Sequence, residues 1–389
     1  MVVTPMLIGL IGDVRSVVGV GSARSYLYSR GYLSVPLAGY QIQEIVIGPM
    51  APDLSRGPFI YLAAPDSPQA YKDAADVVEV GAAMNEIQDA IDTLATACVT
   101  ACGTVVLMPG THDLGNVPSA IVTGARLYVL MKDGVDLTGY GSLTVVTITD
   151  ATDYPDDVHM FHAVPGTDVG TWGVDDVMVS RIKFDQTAAP TPVTNNRHPL
   201  AMLTTNAVFS YLWFVGGEEE IQTSENTTYG RFIPSDNYYH HIRCENTSAA
   251  CVEFQRSTTN ATLEDFYCLN CGIDEFLALH MEAFSGGLTE RPTNITLTRT
   301  SFEADPGVAS HVSITGVDGL TVTDMVLKGM GDSFAVDKSA VRLNTTLSGG
   351  TRIEDAYFTN VNLAESGNAE GTGQIFGMTG DLVNVRVLR

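Results

Sequence analysis

Between residues 259 and 388 the apolar positions return in one short pattern: a core-type residue, the next three positions on, and a third two beyond that. Leu263/Phe266/Cys268 and Val322/Met325/Leu327 follow it, Ile353/Ala356/Phe358 follows it with a small middle residue, Leu297/Thr300/Phe302 carries Thr there, and Val383/Arg386/Leu388 carries Arg. A straight strand puts residues two apart on one face, so the slip between the first and second position marks a corner. The dipeptides at the slip are Glu264-Asp265, Thr298-Arg299, Thr323-Asp324 and Glu354-Asp355. Asp is among the few residues besides Gly that tolerate a left-handed backbone, which a tight bend needs. Towards the N-terminus Val179/Ile182/Phe184 and Tyr239/Ile242/Cys244 match, and Val208/Tyr211/Trp213 is taken as the member between them.

Counted from Val179 to Val383, the repeat averages about 29 residues, with intervals from 24 to 34. Periods of this size belong to solenoids, propellers or arrays, in which no unit buries its apolar face alone. Propeller blades need four longer strands and more residues per repeat, so the pattern predicts an all-β solenoid with loops of unequal length at one corner. Such loops are where function usually sits.

Residues 1–75 show no such pattern and are rich in Gly, Val and Pro, which predicts a separate N-terminal head, with the body at 76–389. The apolar start, Met1 to Gly12, has no basic region and no small-residue cleavage site, so it is expected to stay on the mature chain. From residue 84 the period turns helical: Met84, Ile87, Ile91, Leu94 and Cys98 fall on one side of an 84–98 helix. A solenoid's first coil leaves an open edge that would pair with other molecules, and a helix placed here is suited to cover it.

Composition narrows the class. Hydrophobic residues make up 45% of 389, enough for a continuous core, and no run of 18 apolar residues is present to span a membrane as a helix. The net charge is −24, with only five Lys against sixteen Arg, which argues against nucleic acid as a partner and suits a salty milieu. Six Cys occur, at 98, 102, 244, 251, 268 and 271. Cys268-x-x-Cys271 has no second Cys or His pair at zinc spacing, and Cys244 and Cys268 share one repeat position, so buried thiols are favoured over disulfides.

Three segments bear a resemblance to a known family. Glu86-Ile-Gln-Asp-Ala-Ile-Asp92, Gly103-Thr-Val-Val-Leu-Met-Pro-Gly-Thr111 and Asp133-Gly-Val-Asp-Leu-Thr-Gly-Tyr-Gly141 resemble, in order, the "IQ-x-AI" helix, "G-x-V-x-x-P-G-x" strand-turn and "L-x-G-x-G" turn that open the pectate-lyase-like right-handed parallel β-helix superfamily. The resemblance implies a right-handed single-stranded parallel β-helix with an N-terminal capping helix and a small head. Members with a short unrelated head resemble viral tailspikes and receptor-binding proteins, where the head joins the virion, the coil is commonly a homotrimer, and the body meets surface glycans. It therefore implies a virion-surface protein of tailspike or capsid-spike type, held to other virion proteins through residues 1–75. The alternative on the same fold is an active polysaccharide depolymerase, a hydrolase or a lyase; a secreted pectinase-like enzyme is a third.

Candidate chemistry is thin. Asp265, Asp324 and Asp355 recur in register, but the corners already call for Asp. Glu218, Glu219 and Glu220 lie in a long insertion after Trp213 with Tyr229 downstream, a combination that fits a sugar or a cation and equally a solvated acidic loop. Asp153–Asp157 and Asp175-Asp176 carry the same two readings. His240-His241 and the pair His159 and His162 lack a sequence-placed third ligand, so no metal site and no cofactor are expected beyond a structural cation. Asn226, Asn246, Asn260, Asn294 and Asn344 stand in glycosylation sequons. Walker, dinucleotide, Gly-x-Ser-x-Gly and His-Glu-x-x-His motifs are absent.

Overall fold

The structure is a computed structural model that describes residues 42–97, 102–115, 120–122, 125–148, 158–162, 173–187, 197–201, 203–218, 221–223, 233–273, 277–282, 291–305, 308, 310–330, 339–345, 352–365 and 374–388. It divides into two compact units, residues 45–248, and residues 249–389 with the opening 1–44.

In residues 45–248 the chain alternates between two sheets. Phe59–Ala63, Gly103–Leu107, Val135–Thr147, Met178–Asp185, Val208–Val215 and Tyr238–Glu245 pair parallel, each with the next. The strands between them, Ala125–Leu130, Val158–His162, Arg197–Ala201 and Ile221–Thr223, pair parallel in the second sheet. A strand that meets its successor in parallel only after the chain has visited another sheet is one turn of a coil. Residues 249–389 repeat the scheme. Thr262–Leu269, Thr293–Glu303, Val317–Lys328 and Arg352–Glu365 form one sheet, and Val252–Gln255, Leu277–Glu282, His311–Ile314, Ser339–Asn344 and Gln374–Thr379 form the other.

The inward positions follow the expected template in most turns. Val179/Ile182/Phe184 and Tyr239/Ile242/Cys244 are buried, as are Leu263/Phe266/Cys268, Leu297/Thr300/Phe302 and Val322/Met325/Leu327. Like side chains stack between successive turns: Phe184 on Phe214 at 5.1 Å and Phe209 on Tyr239 at 4.8 Å between ring centroids, with the planes within 9°.

Three expected members are placed differently. Phe209/Leu212/Phe214 point inward opposite Val179/Ile182/Phe184, so the template at Val208/Tyr211/Trp213 is one residue out. Val385 and Val387 are the buried pair of the last strand region, one residue before Arg386 and Leu388. Ile353/Ala356/Phe358 does face inward, but it pairs with Val317, Leu320 and Val322, one corner earlier than expected. A one-residue shift turns every side chain to the other face. Where a segment such as Leu212-Trp213-Phe214 is apolar on both faces, the pattern alone does not fix which residue turns in.

The corners are left-handed, as the polar dipeptides foretold. Asp265, Arg299, Asp324 and Asn360 have φ of 50°, 50°, 57° and 54°, and Arg181, Tyr211 and His241 stand at 57°, 54° and 54°. A second set, Asn260, Asn294, Gly319, Asp355 and Asn384, turns the preceding corner. Amide side chains bridge successive turns there, with Asn294 Nδ2 donating to Asn260 Oδ1 at 3.1 Å.

The capping helix runs Ala83–Ala97 and buries Met84, Ile87, Ala90, Ile91 and Leu94; Cys98 lies outside the described residues. Its Gln88 works as a piece of strand. The Gln88 Oε1 accepts from the Leu130 N–H at 2.7 Å, and Nε2 donates to the Leu130 carbonyl at 3.1 Å, so the side-chain amide pairs with backbone as a further strand would. Of the expected head, residues 1–41 lie outside the described residues.

The thiol reading is corrected. Cys102, Cys244 and Cys251 are disulfide-bonded, and Cys268 is joined to Cys271 with Cα atoms 6.0 Å apart. Burial was read correctly, since Cys268 and Cys271 are each 1% exposed. The left-handed turn at Asn270, φ 53°, folds Cys271 back towards Cys268, which spacing alone does not reveal.

Candidate functional site

The alternation that turns Phe209, Leu212 and Phe214 inward turns Tyr211 and Trp213 outward, and register does the rest. Lys183, Trp213 and Arg243 stand opposite one another on three successive strands. The Lys183 ammonium lies 4.7 Å from the centroid of the Trp213 ring, and the Arg243 guanidinium 5.5 Å. An indole between two cations is attracted to both through its ring quadrupole. Lys183 in turn pairs with Asp185 at 2.7 Å, and Arg243 Nε donates to Glu245 Oε1 at 2.5 Å.

One column over, at the left-handed corner, Arg181, Tyr211 and His241 are aligned. The Tyr211 and His241 rings stack at 4.5 Å, Tyr238 and His240 stack at 4.7 Å, and the Nδ1 atoms of His240 and His241 are 3.0 Å apart. Arg181 lies 5.9 Å from the Tyr211 centroid. The result is a half-buried outer face of aromatic rings and cations across three turns of a strongly acidic protein. Aromatic rings and planar guanidinium groups gathered on one face are the side-chain types that contact sugars and their acidic substituents.

A strap edges this face. Arg243 Nη1 donates to the Ile45 carbonyl at 2.7 Å, Arg181 Nη1 donates to the Ala51 carbonyl at 2.7 Å, and Arg181 pairs with Asp53 at 3.4 Å. Further along, Arg56 bridges Asp136 at 3.2 Å and Asp176 at 3.0 Å. Burial lifts the Asp136 carboxyl to about 6 against the pull of Arg56 and of the Met178 N–H. Asp185 behaves oppositely: burial works to raise it, yet hydrogen bonds from Lys183 and Thr187 hold it below the ordinary carboxylate value. A carboxylate held ionised in this way is a poor general acid.

The sequence-marked residues divide. Trp213 belongs to the face, and Glu218 is half-buried just past the end of its strand. Glu219, Glu220, Tyr229 and Asn226 lie outside the described residues, as do Asp153–Asp157. Asp175 accepts from Thr205 at 2.7 Å and from Asn206 at 2.9 Å, a turn-to-turn link. The apparent acidic column is two columns: Arg299 sits between Asp265 and Asp324 and binds Asp265 through two bonds of 2.7 and 3.0 Å, while Asp355 turns the other corner. His162 is a core histidine, held neutral down to about 3 by burial and by neighbouring His198. Among the sequons, Asn344 is half-buried at a strand end, Asn246 is exposed just past one, and Asn260 and Asn294 are exposed but share the amide bridge. Tyr211 and Tyr238 were missed: Tyr211 reads as apolar core, and Tyr238 stands next to the template member Tyr239 with nothing of its own to mark it.

Among the described residues, one group of metal-type ligands comes together, Glu253, His280 and Glu282. None of the three was marked in the sequence, because the two strands that carry them are brought side by side only by the coil. Among the described residues no helix is long and apolar enough to cross a membrane.

No family model matches the chain, and no curated protein matches it. Solved structures do. An iota-carrageenase complexed to iota-carrageenan fragments superimposes with a TM-score of 0.50 at 13% identity, covering 80% of this chain and 61% of that one. A tailspike protein of E. coli bacteriophage HK620 gives 0.43 at 14%, covering 78% and 61%. The catalytic domain of a GH87 alpha-1,3-glucanase in complex with nigerose gives 0.41 at 8%, covering 88% and 67%. The chain thus spans less than two thirds of the carrageenase. Parallel pairing, stacked inward side chains and the carrageenase likeness together make this chain a right-handed parallel β-helix.

Proposed function

We propose that the chain is a virion-surface protein of tailspike or capsid-spike type, docked to its particle through the opening segment and presenting the coil to glycans of the host surface. The observation that carries the glycan part is the outward face of Tyr211, Trp213, Tyr238, His240 and His241 bracketed by Arg181, Lys183 and Arg243. The order of segments, an opening stretch followed by an IQ-type cap and then the coil, supports the virion part through the resemblance noted above. On this reading the protein acts as a homotrimer. The test is binding of purified protein to host envelope polysaccharide, with Trp213→Ala and Tyr211→Ala each weakening it about tenfold, or ~1.4 kcal/mol. Unchanged binding in both variants sinks the assignment of this face.

A second reading, a polysaccharide hydrolase or lyase, is favoured by the Glu253, His280 and Glu282 group, which contains the side-chain types of general acid–base chemistry. Incubation with the same polysaccharide separates the two. New reducing ends or unsaturated uronates that disappear in Glu253→Gln would establish the enzyme; binding without turnover favours the attachment protein.

A further inference from the structure

Glu253 lies on Val252–Gln255, and His280 and Glu282 lie on Leu277–Glu282. The strands pair parallel with Glu253 opposite His280 and Gln255 opposite Glu282. Val252, Phe254, Leu279 and Met281 fill the core, so alternation sends Glu253, His280 and Glu282 together to the outer side. One donor atom from each lies within 4.8 Å of the other two, and His280 Nδ1 is 2.9 Å from Glu253 Oε1. Although it faces away from the core, Glu253 is only 3% exposed.

We infer that Glu253, His280 and Glu282 form a binding site for a divalent first-row transition-metal ion. Two carboxylates held this close repel each other, and burial of one strengthens the repulsion. A divalent ion between them turns that repulsion into shared coordination. The donor set decides the class of ion. One imidazole with two carboxylates suits zinc, manganese, iron(II) or cobalt(II), whereas calcium takes six to eight oxygens and no nitrogen. Three protein donors are the number found where a zinc ion keeps a position open. Across the same outer face Ser313 stands opposite His280, and Arg342 opposite Ser313. Arg342 thus lies two strands from His280 on the same face, a cation placed to attract an anionic group at the open position. The site is independent of the glycan face; it uses the residues of the hydrolase or lyase reading but rests on their geometry alone, so metal binding without turnover would leave it standing.

The test is cobalt(II) titration of the full chain, followed by its visible absorption, with equilibrium dialysis against zinc and against calcium. The expected result is one equivalent bound per chain, zinc at least tenfold tighter than calcium, and a cobalt spectrum that reports nitrogen ligation. His280→Ala and Glu282→Gln should each weaken zinc at least tenfold. Glu282 is half-buried at the end of its strand, so Glu282→Gln, a substitution of the same shape checked by circular dichroism, decides the matter if His280→Ala does not fold. No stoichiometric binding, equal affinity for calcium, or zinc binding untouched by a folded variant would overturn the site.

Discussion

Left-handed backbone at Arg181, Tyr211, His241 and Arg299 costs roughly 1–2 kcal/mol per residue. Each such residue recovers part of that cost locally: Arg181 and Arg299 through carboxylates, Tyr211 and His241 by stacking. The same geometry leaves glycine without a substitute at Gly141. Its φ is 68°, and an added Cβ would run into the Gly48 carbonyl oxygen, which accepts a bond from the Ser142 N–H at 3.2 Å. Gly141→Ala should lower the denaturation midpoint by the equivalent of about 2 kcal/mol or more and loosen the strap, seen as faster amide exchange at Met50. Titration at buried groups gives a second expectation. The folded value of His162, about 3, lies below its ordinary 6.5, so the unfolded chain binds the extra proton between those values. Stability from this group is full above about 6.5 and is lost as pH falls towards 3. Asp136 works the other way, because its folded value of about 6 lies above 3.8, and stability falls as pH rises between them. His162→Leu should therefore flatten the acid limb of a stability–pH curve, and an unchanged limb would assign it to other groups.

At the scale of elements the coil depends on two devices. The first is the inward stack, in which Phe214 lies against Phe184 and is fully buried. Phe214→Ala should cost about 3–5 kcal/mol in chemical denaturation, the range for truncating a buried aromatic ring. The second is the lid. Gln88 satisfies both backbone groups of Leu130, so Gln88→Ala removes the partners of a half-buried donor and acceptor and should cost about 1–2 kcal/mol. Gln88→Glu keeps the acceptor for the Leu130 N–H but sets a carboxylate against the carbonyl. It should fall between wild type and alanine, a ranking that a purely steric role for the lid would not produce.

On the scale of the whole molecule the proposed roles occupy different places: docking in the opening segment, glycan contact on the outer face of residues 178–245, and metal binding at Glu253, His280 and Glu282. Phe59–Ala63 is paired with Gly103–Leu107, so deletion of all of residues 1–75 would strip a strand from the sheet as well as remove the docking segment. Removal of residues 1–41 alone is the cleaner experiment. The truncated protein should keep its circular dichroism spectrum and be missing from assembled particles. Particles that carry it would place the docking contact elsewhere. Binding to an acidic polysaccharide through Arg181, Lys183 and Arg243 should also weaken as salt rises, and a salt-independent affinity would point to the rings alone.

The coil, its left-handed corners and its lid were legible along the chain, because each arises from a short-range rule: apolar spacing, backbone tolerance at Asp, and helical periodicity. Only the tertiary structure decided what lies on the outside. Tyr211 and Trp213 read as core until register with Ile182 and Ile242 turned Leu212 inward and sent them out. Glu253 and His280 are 27 residues apart, and nothing in either neighbourhood marks them; one full turn of the coil makes them adjacent. Inward positions are fixed by neighbours in sequence, whereas an outer face is assembled from residues a whole turn apart, and that distance hides it from any local pattern.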